Sequence, residues 1–448
     1  MSEDQNRWGT SSALTSASPG EPFTTTRSGE LYHRALRLLP GGVNSPVRAM
    51  RSISRDPIFI AGGAGATIWD ADGNEYIDWV QSWGSLIHGH AHPSVLGAIA
   101  TAAGKGTTFG APTEAEVVLA AEIAQRIPSV QMLRMTSSGT EAVMSAIRLA
   151  RAVTGREEVL KFAGAYHGHV DGLLAQAGSG LATHAIPACP GVLQAAAGAT
   201  VIVPWNDPEA VVQATERHQL AAIIVEPVPA NMGLVPPRDD FLELLRERAD
   251  RTGALLVFDE VITGFRVARG GAQERYGVMP DLTILGKIAG GGLPAAAYGG
   301  ARSLMERIAP AGDVYQAGTL SGNPLAVAAA LATFELLDTP AYGRLQVLTD
   351  VLADGLRDAA LLAGVSVQVQ AMPGLLTVFF SAEPVGDYAG AMSCDLQAYG
   401  AWCRALLARG IYTPPSQFEA WFPSLAHTDE QVSRTVQAAA AAFGELAS

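Results

Sequence analysis

Between about Val130 and Pro294, short runs of β-branched and apolar residues alternate with stretches of helical periodicity. That alternation predicts a largely parallel sheet covered by helices. The expected strands are EEVLKF, ATVIVP, AAIIVEP, ALLVFDE and DLTILGK. DDFLELLRERADRTG reads as a connecting helix, with acidic residues in its first turn and Gly253 where a left-handed residue closes a helix. MLRMTSSGTEAVMSAIRLARA reads as a strand followed by a helix. In open α/β sheets, sites form beyond the carboxyl ends of the strands, where Glu226, Asp259 and Lys287 all fall.

After NPLAVAAALATFELLD the pattern changes to helices mixed with isolated strands such as LLTVFFS, so a smaller domain is expected to begin near Thr339. It closes on the helix QVSRTVQAAAAAFGELA, which Thr428 and Gln431 open as a capping box. Before residue 100, TIWDADGNEYIDW reads as a hairpin turning at Asp72-Gly73 and belongs with the smaller domain. The expected organisation is a disordered tail over 1–27 and an N-terminal segment over 28–99 associated with the small domain. A large α/β domain follows over 100–338, then the C-terminal small domain over 339–448. The tail is rich in Ser, Thr and Gly, has no apolar signal core, and carries Glu3, Asp4 and Glu21, which disfavour a transit peptide.

A chain of 448 residues exceeds one hydrophobic core, and 48% hydrophobic with 16% charged residues fits a compact enzyme with a large interior. The net charge of −13 argues against a nucleic-acid-binding surface. Cys189, Cys394 and Cys403 are odd in number and lack CxxC spacing, which points to a reducing compartment, the cytoplasm, without a disulfide or metal framework. No apolar run is long and clean enough to predict a membrane span.

A strand-end acid, Asp259, followed by a strand-end lysine, Lys287, suits pyridoxal phosphate. That cofactor needs an amine to hold it covalently and a carboxylate to keep its pyridine nitrogen protonated. Alone, the two residues would read equally well as a buried lysine with a chance carboxylate. The junction SSGTEA adds a phosphate cradle: Ser138, Gly139 and Thr140 put donors at a helix N-terminus, where the dipole favours an anion. Ser-Gly-Thr by itself would more simply be an N-cap. In HGHAHP, the alternating His88, His90 and His92 have no acidic or cysteine ligand beside them, so they read as structural and no metal is expected. Gly290, Gly291 and Gly292 read as letting backbone pass close to the lysine.

GGVNSPVRA, SSGTEA, AYHGH, AGSGLAT, LLVFDEVITGFR, LGKIAGGGLPAAAYGG, YQAGTLSGNPLA and PSQFEA occur in this order. From about Leu31 to Ala440 the chain thereby resembles the glutamate-1-semialdehyde 2,1-aminomutase family, part of the class III aminotransferase group. The resemblance implies an α/β, fold-type I pyridoxal phosphate-dependent transferase. Its large, mainly parallel sheet domain would be joined by a smaller α+β domain built from both chain ends. It also implies a cytoplasmic homodimer with shared active sites, and raises a transient contact with glutamyl-tRNA reductase. By the same resemblance Lys287 is the tethering lysine and proton shuttle, Asp259 partners the pyridine nitrogen and Tyr166 covers the ring face. Asn231 lies near the phenolic oxygen, Val261 beneath the ring, and Thr319 reaches the phosphate of the neighbouring subunit. Arg48 pairs with the substrate carboxylate, Trp83 forms an apolar wall, Glu419 lies near the substrate amines, and Ser179 belongs to a lid, AGSGLAT.

The implied reaction converts (S)-4-amino-5-oxopentanoate to 5-aminolevulinate for tetrapyrrole synthesis. The cofactor alternates with its pyridoxamine form, and 4,5-diaminovalerate stays bound between the two amine transfers. Ser137, Pro229, Ala230, Ile262 and Trp421 depart from the family pattern, and Trp421 is expected to alter the pocket or its access. The alternative is a class III aminotransferase acting on an ω-amine or β-amino acid with a separate keto-acid acceptor. A catalytically idle cofactor-binding regulator is disfavoured by the intact Lys287 and Asp259.

Overall fold

The structure is a computed structural model that describes residues 23–174 and 189–447. Three short antiparallel strands come first: β1 (Ile60–Ala64), β2 (Thr67–Asp70) and β3 (Glu75–Asp78). The large sheet then uses β4 (Met132–Thr136), β5 (Glu158–Phe162), β6 (Thr200–Val203), β7 (Leu220–Val225), β8 (Leu255–Asp259), β9 (Leu282–Leu285) and β10 (Ala296–Gly300). Its order is β4-β10-β9-β8-β7-β5-β6, with the five strands from β9 to β6 mutually parallel and β10 antiparallel to both neighbours. All five runs expected as strands are present. Every residue of β7 is buried, as a central strand covered on both faces requires.

The helix Phe241–Thr252 ends on Gly253 at φ +70, where only glycine is unstrained. The smaller domain holds β11 (Gln368–Met372), β12 (Leu375–Phe379) and β13 (Ile411–Tyr412). β13 pairs in parallel with β3, closing the sheet β1-β2-β3-β13 from both ends of the chain. The final helix, Asp429–Ala447, opens with the expected reciprocal cap: Gln431 N–H donates to Thr428 Oγ1 at 3.2 Å, and Thr428 N–H to Gln431 Oε1 at 3.1 Å. The helix Thr339–Ala363 starts at the expected boundary, where Asp338 caps it by accepting from Ala341 N–H at 2.9 Å. It stands at 81° to the preceding helix, Pro324–Glu335. Among the described residues no single helix is long and apolar enough to cross a membrane.

The segment before residue 100 divides its contacts. Its hairpin joins the small sheet, while the helix Pro93–Ala103 packs on Pro324–Glu335 of the large domain. Of the tail expected to be disordered over 1–27, residues 1–22 lie outside the described residues. The rest of that span is ordered: the Phe23 ring lies 5.2 Å from Tyr76, and the first helix, Thr26–Ala35, begins two residues before the expected boundary, although Thr24 to Arg27 are exposed.

The small domain's core is an aromatic column. Trp402 stacks on Trp421 at 5.7 Å and on Phe443 at 4.9 Å, and Trp79 lies 6.1 Å from Trp421. This corrects the expectation for Trp421: the ring is fully buried among these aromatics and does not line the site. The large apolar area of an indole favours this burial, and the backbone holds it there: Trp421 exchanges paired bonds with Leu376 of β12, and Phe422 N–H donates to Trp79 O at 2.7 Å.

Candidate active site

Asp259 ends β8 and Lys287 follows β9, and because β8 and β9 are adjacent parallel strands both side chains emerge at the same edge of the sheet. Lys287 opens the short turn Lys287–Gly290 at φ +49, a left-handed conformation strained for lysine. Asp259 Oδ2 meets His167 Nδ1 at 2.8 Å, and its Oδ1 accepts from Val261 N–H at 3.2 Å. Lys287, Asp259, Tyr166, Asn231 and Val261 share one cavity of about 280 Å³. Burial holds the Lys287 amine below the usual lysine range, while the charges of Glu419, Asp259 and Glu226 oppose that shift. Burial raises the Tyr166 phenol, and Glu419 and Asp259 raise it further. Tyr166 nevertheless remains 36% exposed and lines the cavity.

The other end of the cavity is the N-terminus of the helix Gly139–Thr154, lined by Ser137, Gly139 and Thr140. Ser138 does not line it; its Oγ accepts from Glu141 N–H at 3.2 Å, the ordinary capping bond. The loop AYHGH closes against this end. A Cβ on Gly168, at φ +72, would sit 2.4 Å from Thr140 Oγ1, so only glycine fits there. Gly139 and Gly286 flank Val261, with hypothetical Cβ atoms 3.3 and 3.2 Å from its methyls, leaving its side chain as the floor of the cavity.

Glu419 is close enough to influence both Lys287 and Tyr166. Five of the expected residues that the structure describes do not line the cavity: Ser138, Glu419, Arg48, Trp83 and Thr319. Arg48 is exposed on the turn Pro46–Ala49 and has no ion pair among the described residues. Thr319 is exposed near Tyr315 and Leu320, themselves 71% and 51% exposed. Trp83 is half-buried on a turn whose next neighbour but one, Ser85, does reach the cavity. Ser179 and the whole of AGSGLAT lie outside the described residues.

The histidines of HGHAHP have separate partners: His88 Nε2 meets Thr333 O at 3.0 Å, and His90 Nε2 meets Asp78 Oδ2 at 2.7 Å. The glycine run serves a neighbour other than the lysine. Cβ atoms on Gly291 and Gly292 would strike Ala329 O at 2.4 Å and Leu86 Cδ2 at 2.7 Å, so the run lets the helix Pro324–Glu335 and Leu86 approach. Ile262 lines the cavity from an apolar cluster that includes Val228 and Ala230. Sequence reasoning did not single out His167, whose imidazole is fully buried, holds Asp259 through Nδ1 and leaves Nε2 without a hydrogen-bond partner among the described residues. Its signal was present, since it adjoins Tyr166 in AYHGH.

The family model described as aminotransferase class-III matches residues 50–443. A glutamate-1-semialdehyde 2,1-aminomutase from Thermomicrobium roseum is 53% identical over 423 residues, spanning 94% of this chain and 98% of that protein. Among solved structures, an omega-transaminase from Sphaerobacter thermophilus superposes with a TM-score of 0.86 at 35% identity, covering 93% of this chain and 97% of the other. A variant glutamate-1-semialdehyde aminomutase from Pseudomonas aeruginosa in complex with PMP superposes with a TM-score of 0.83 at 28% identity, covering 94% of each chain.

Proposed function

Because the chain belongs to the class III aminotransferase family, we propose that it is a pyridoxal phosphate-dependent glutamate-1-semialdehyde 2,1-aminomutase supplying 5-aminolevulinate to tetrapyrrole synthesis. The observation that carries this reading is the 53% identity to such an aminomutase over 94% of the chain, joined to a cavity holding Lys287 and Asp259. The residues present fit the cofactor. Donors at a helix N-terminus, a buried carboxylate, an amine with a lowered pKa and an aromatic face left partly exposed surround a space sized for one small ring.

When bound, the cofactor supplies an electron sink conjugated to the reacting substrate carbon and, in its pyridoxamine form, the amine that is exchanged. Gly139 and Thr140 would receive the phosphate, Asp259 would hold a proton on the ring nitrogen, and Tyr166 and Val261 would cover the two ring faces. Asn231 already donates to Glu226 Oε2 at 2.7 Å, so its amide is fixed in orientation beside the phenolic oxygen it is assigned. A lowered pKa gives Lys287 Nζ a larger free-amine fraction near neutrality, suiting it to carry a proton between substrate carbon and cofactor carbon. Glu419 would sit beside the substrate amines. Arg48, exposed and without an ion pair among the described residues, would pair with the substrate carboxylate, and Trp83 would form an apolar wall.

The reading includes a homodimer, in which Thr319 serves the neighbouring site. Its support is the exposed apolar surface around Thr319 and the groove near Phe109 and Val118, which a monomer would leave wet. It also places the protein in the cytoplasm, consistent with three free cysteines, and keeps a transient contact with glutamyl-tRNA reductase as the source of a reactive aldehyde.

A second reading, an aminotransferase acting on an ω-amine or β-amino acid, is favoured by one observation. The Sphaerobacter thermophilus omega-transaminase is more similar in sequence than the Pseudomonas aeruginosa aminomutase, at 35% against 28%. The two readings separate on one measurement: 5-aminolevulinate formation from the semialdehyde with no amino donor or keto acid added. Sustained turnover is expected. Turnover only with both additions would replace the aminomutase by the aminotransferase.

A further inference from the structure

Lys161, which has no place in the reaction above, and Glu226, which there only orients the Asn231 amide and adds its charge near Lys287, meet on a single peptide unit. Lys161 lies within β5 and is fully buried; its Nζ donates to Ala165 O at 3.1 Å and to Leu173 O at 2.9 Å. Glu226, just beyond β7, is 4% exposed. Its Oε1 accepts from Tyr166 N–H at 2.8 Å, and its Oε2 from Ala230 N–H at 3.3 Å and Asn231 Nδ2 at 2.7 Å. The carbonyl of Ala165 and the N–H of Tyr166 are the two ends of one planar peptide bond. An ammonium therefore grips one end and a carboxylate the other, from adjacent strands of the sheet.

Burying two charges is costly, and apolar residues of similar volume are often the more stable choice at such positions. Stability alone therefore does not account for the pair. Its geometry does: fixing both ends of the peptide fixes its plane, and with it the point from which Tyr166 and then His167 depart. His167 passes the constraint to Asp259, and the second oxygen of Glu226 passes it to Asn231.

We propose that Lys161 and Glu226 are positioning residues that clamp the Ala165–Tyr166 peptide and so set the Tyr166 ring, the His167–Asp259 pair and the Asn231 amide relative to one another. The clamp rests on the placement of the cofactor ring between Tyr166 and Val261. Burial lowers the Lys161 amine to about 8 against the opposing charge of Glu226, in keeping with a shared, water-excluded site.

The test uses Glu226→Gln, Lys161→Met and the double variant in the full chain, each loaded with pyridoxal phosphate without substrate. Leaving substrate out separates this question from the choice between aminomutase and aminotransferase. Three quantities are read: the dissociation constant of the cofactor, its visible circular dichroism per bound molecule, and the thermal midpoint of the apo and loaded forms. Each single variant should weaken cofactor binding about tenfold or more and lose about half or more of the visible dichroism. The double variant should be no worse than the weaker single one, because one shared peptide cannot be released twice. Should a single variant fail to fold around its stranded charge, the double variant, which removes both charges, still carries the test. Parental affinity and dichroism in any folded variant, with only the thermal midpoint lowered, would make the pair merely structural and overturn the proposal. So would strictly additive losses.

Discussion

Asp259→Asn isolates the charge that the reaction needs, because it conserves shape. Asparagine keeps an oxygen for Val261 N–H, and His167 accommodates the new amide by moving its proton from Nδ1 to Nε2. What is lost is a charge-assisted hydrogen bond to the protonated ring nitrogen, worth about 1.5–3 kcal/mol. Asp259 is only 6% exposed, so solvent screens little of it. At about 1.4 kcal/mol per factor of ten, pyridoxal phosphate should bind apoenzyme roughly 10- to 150-fold more weakly. Titration of apoenzyme followed by cofactor absorbance measures this directly. A second effect has a fixed sign: the Asp259 carboxylate raises the Lys287 pKa, so its removal should move the titration of the Lys287 amine to lower pH. That midpoint is measurable as the pH dependence of cofactor capture by the variant and the parent. Cofactor affinity within about threefold of the parent would refute the role assigned to Asp259.

Three further outcomes are expected. Lys287→Ala should abolish turnover yet retain pyridoxamine phosphate, which needs no amine tether, and equilibrium dialysis against a turnover assay checks both. Gly168→Ala should destabilise the fold by about 2–4 kcal/mol, combining a left-handed backbone at φ +72 with a Cβ only 2.4 Å from Thr140 Oγ1. Denaturant midpoints measure that loss, and weaker phosphate binding should accompany it. Arg48→Leu should lower kcat/KM for the semialdehyde about fivefold, the modest size reflecting an exposed guanidinium, while cofactor affinity stays parental.

The parallel strands were legible because their apolar runs are local and their burial on both faces leaves few polar interruptions. β10 was not. Its sequence AAYGG has low strand propensity, and what makes it a strand is the close approach of its neighbours. A Cβ on Gly299 would lie 2.8 Å from Met132 O, and one on Gly300 would lie 2.2 Å from Asp281 O. The site shows the same division. Asp259 and Lys287 were readable from residue type and strand-end position, whereas Ser138 caps because its neighbour Ser137 is the one that faces the cavity, and the burial of Trp421 depends on distant aromatics such as Trp402 and Phe443. Lys161 and Glu226 left no sequence signal of their meeting, because the peptide that joins them begins four residues from Lys161 but lies 60 residues from Glu226.

The turn that carries Trp83 takes this furthest. Gln81, Ser82 and Trp83 have φ of 45°, 52° and 58°, followed by Gly84 at 87°, so three side-chain-bearing residues in succession hold a left-handed conformation. Each costs about 1–3 kcal/mol unless its surroundings over-determine it. They do: Asp78 accepts from Val80 N–H at 2.8 Å and from Gln81 N–H at 3.2 Å, and His90 bonds the same carboxylate. Arg266 donates to Gly84 O while lying 5.1 Å from the centre of the Phe422 ring, and a Cβ on Gly84 would strike that ring at 2.5 Å. The flanking Asp78 and His90 and the distant Arg266 and Phe422 thus converge on one strained turn whose next residue, Ser85, lines the cavity. No local pattern in VQSWGS announces it, because the conformation belongs to the neighbours that enforce it.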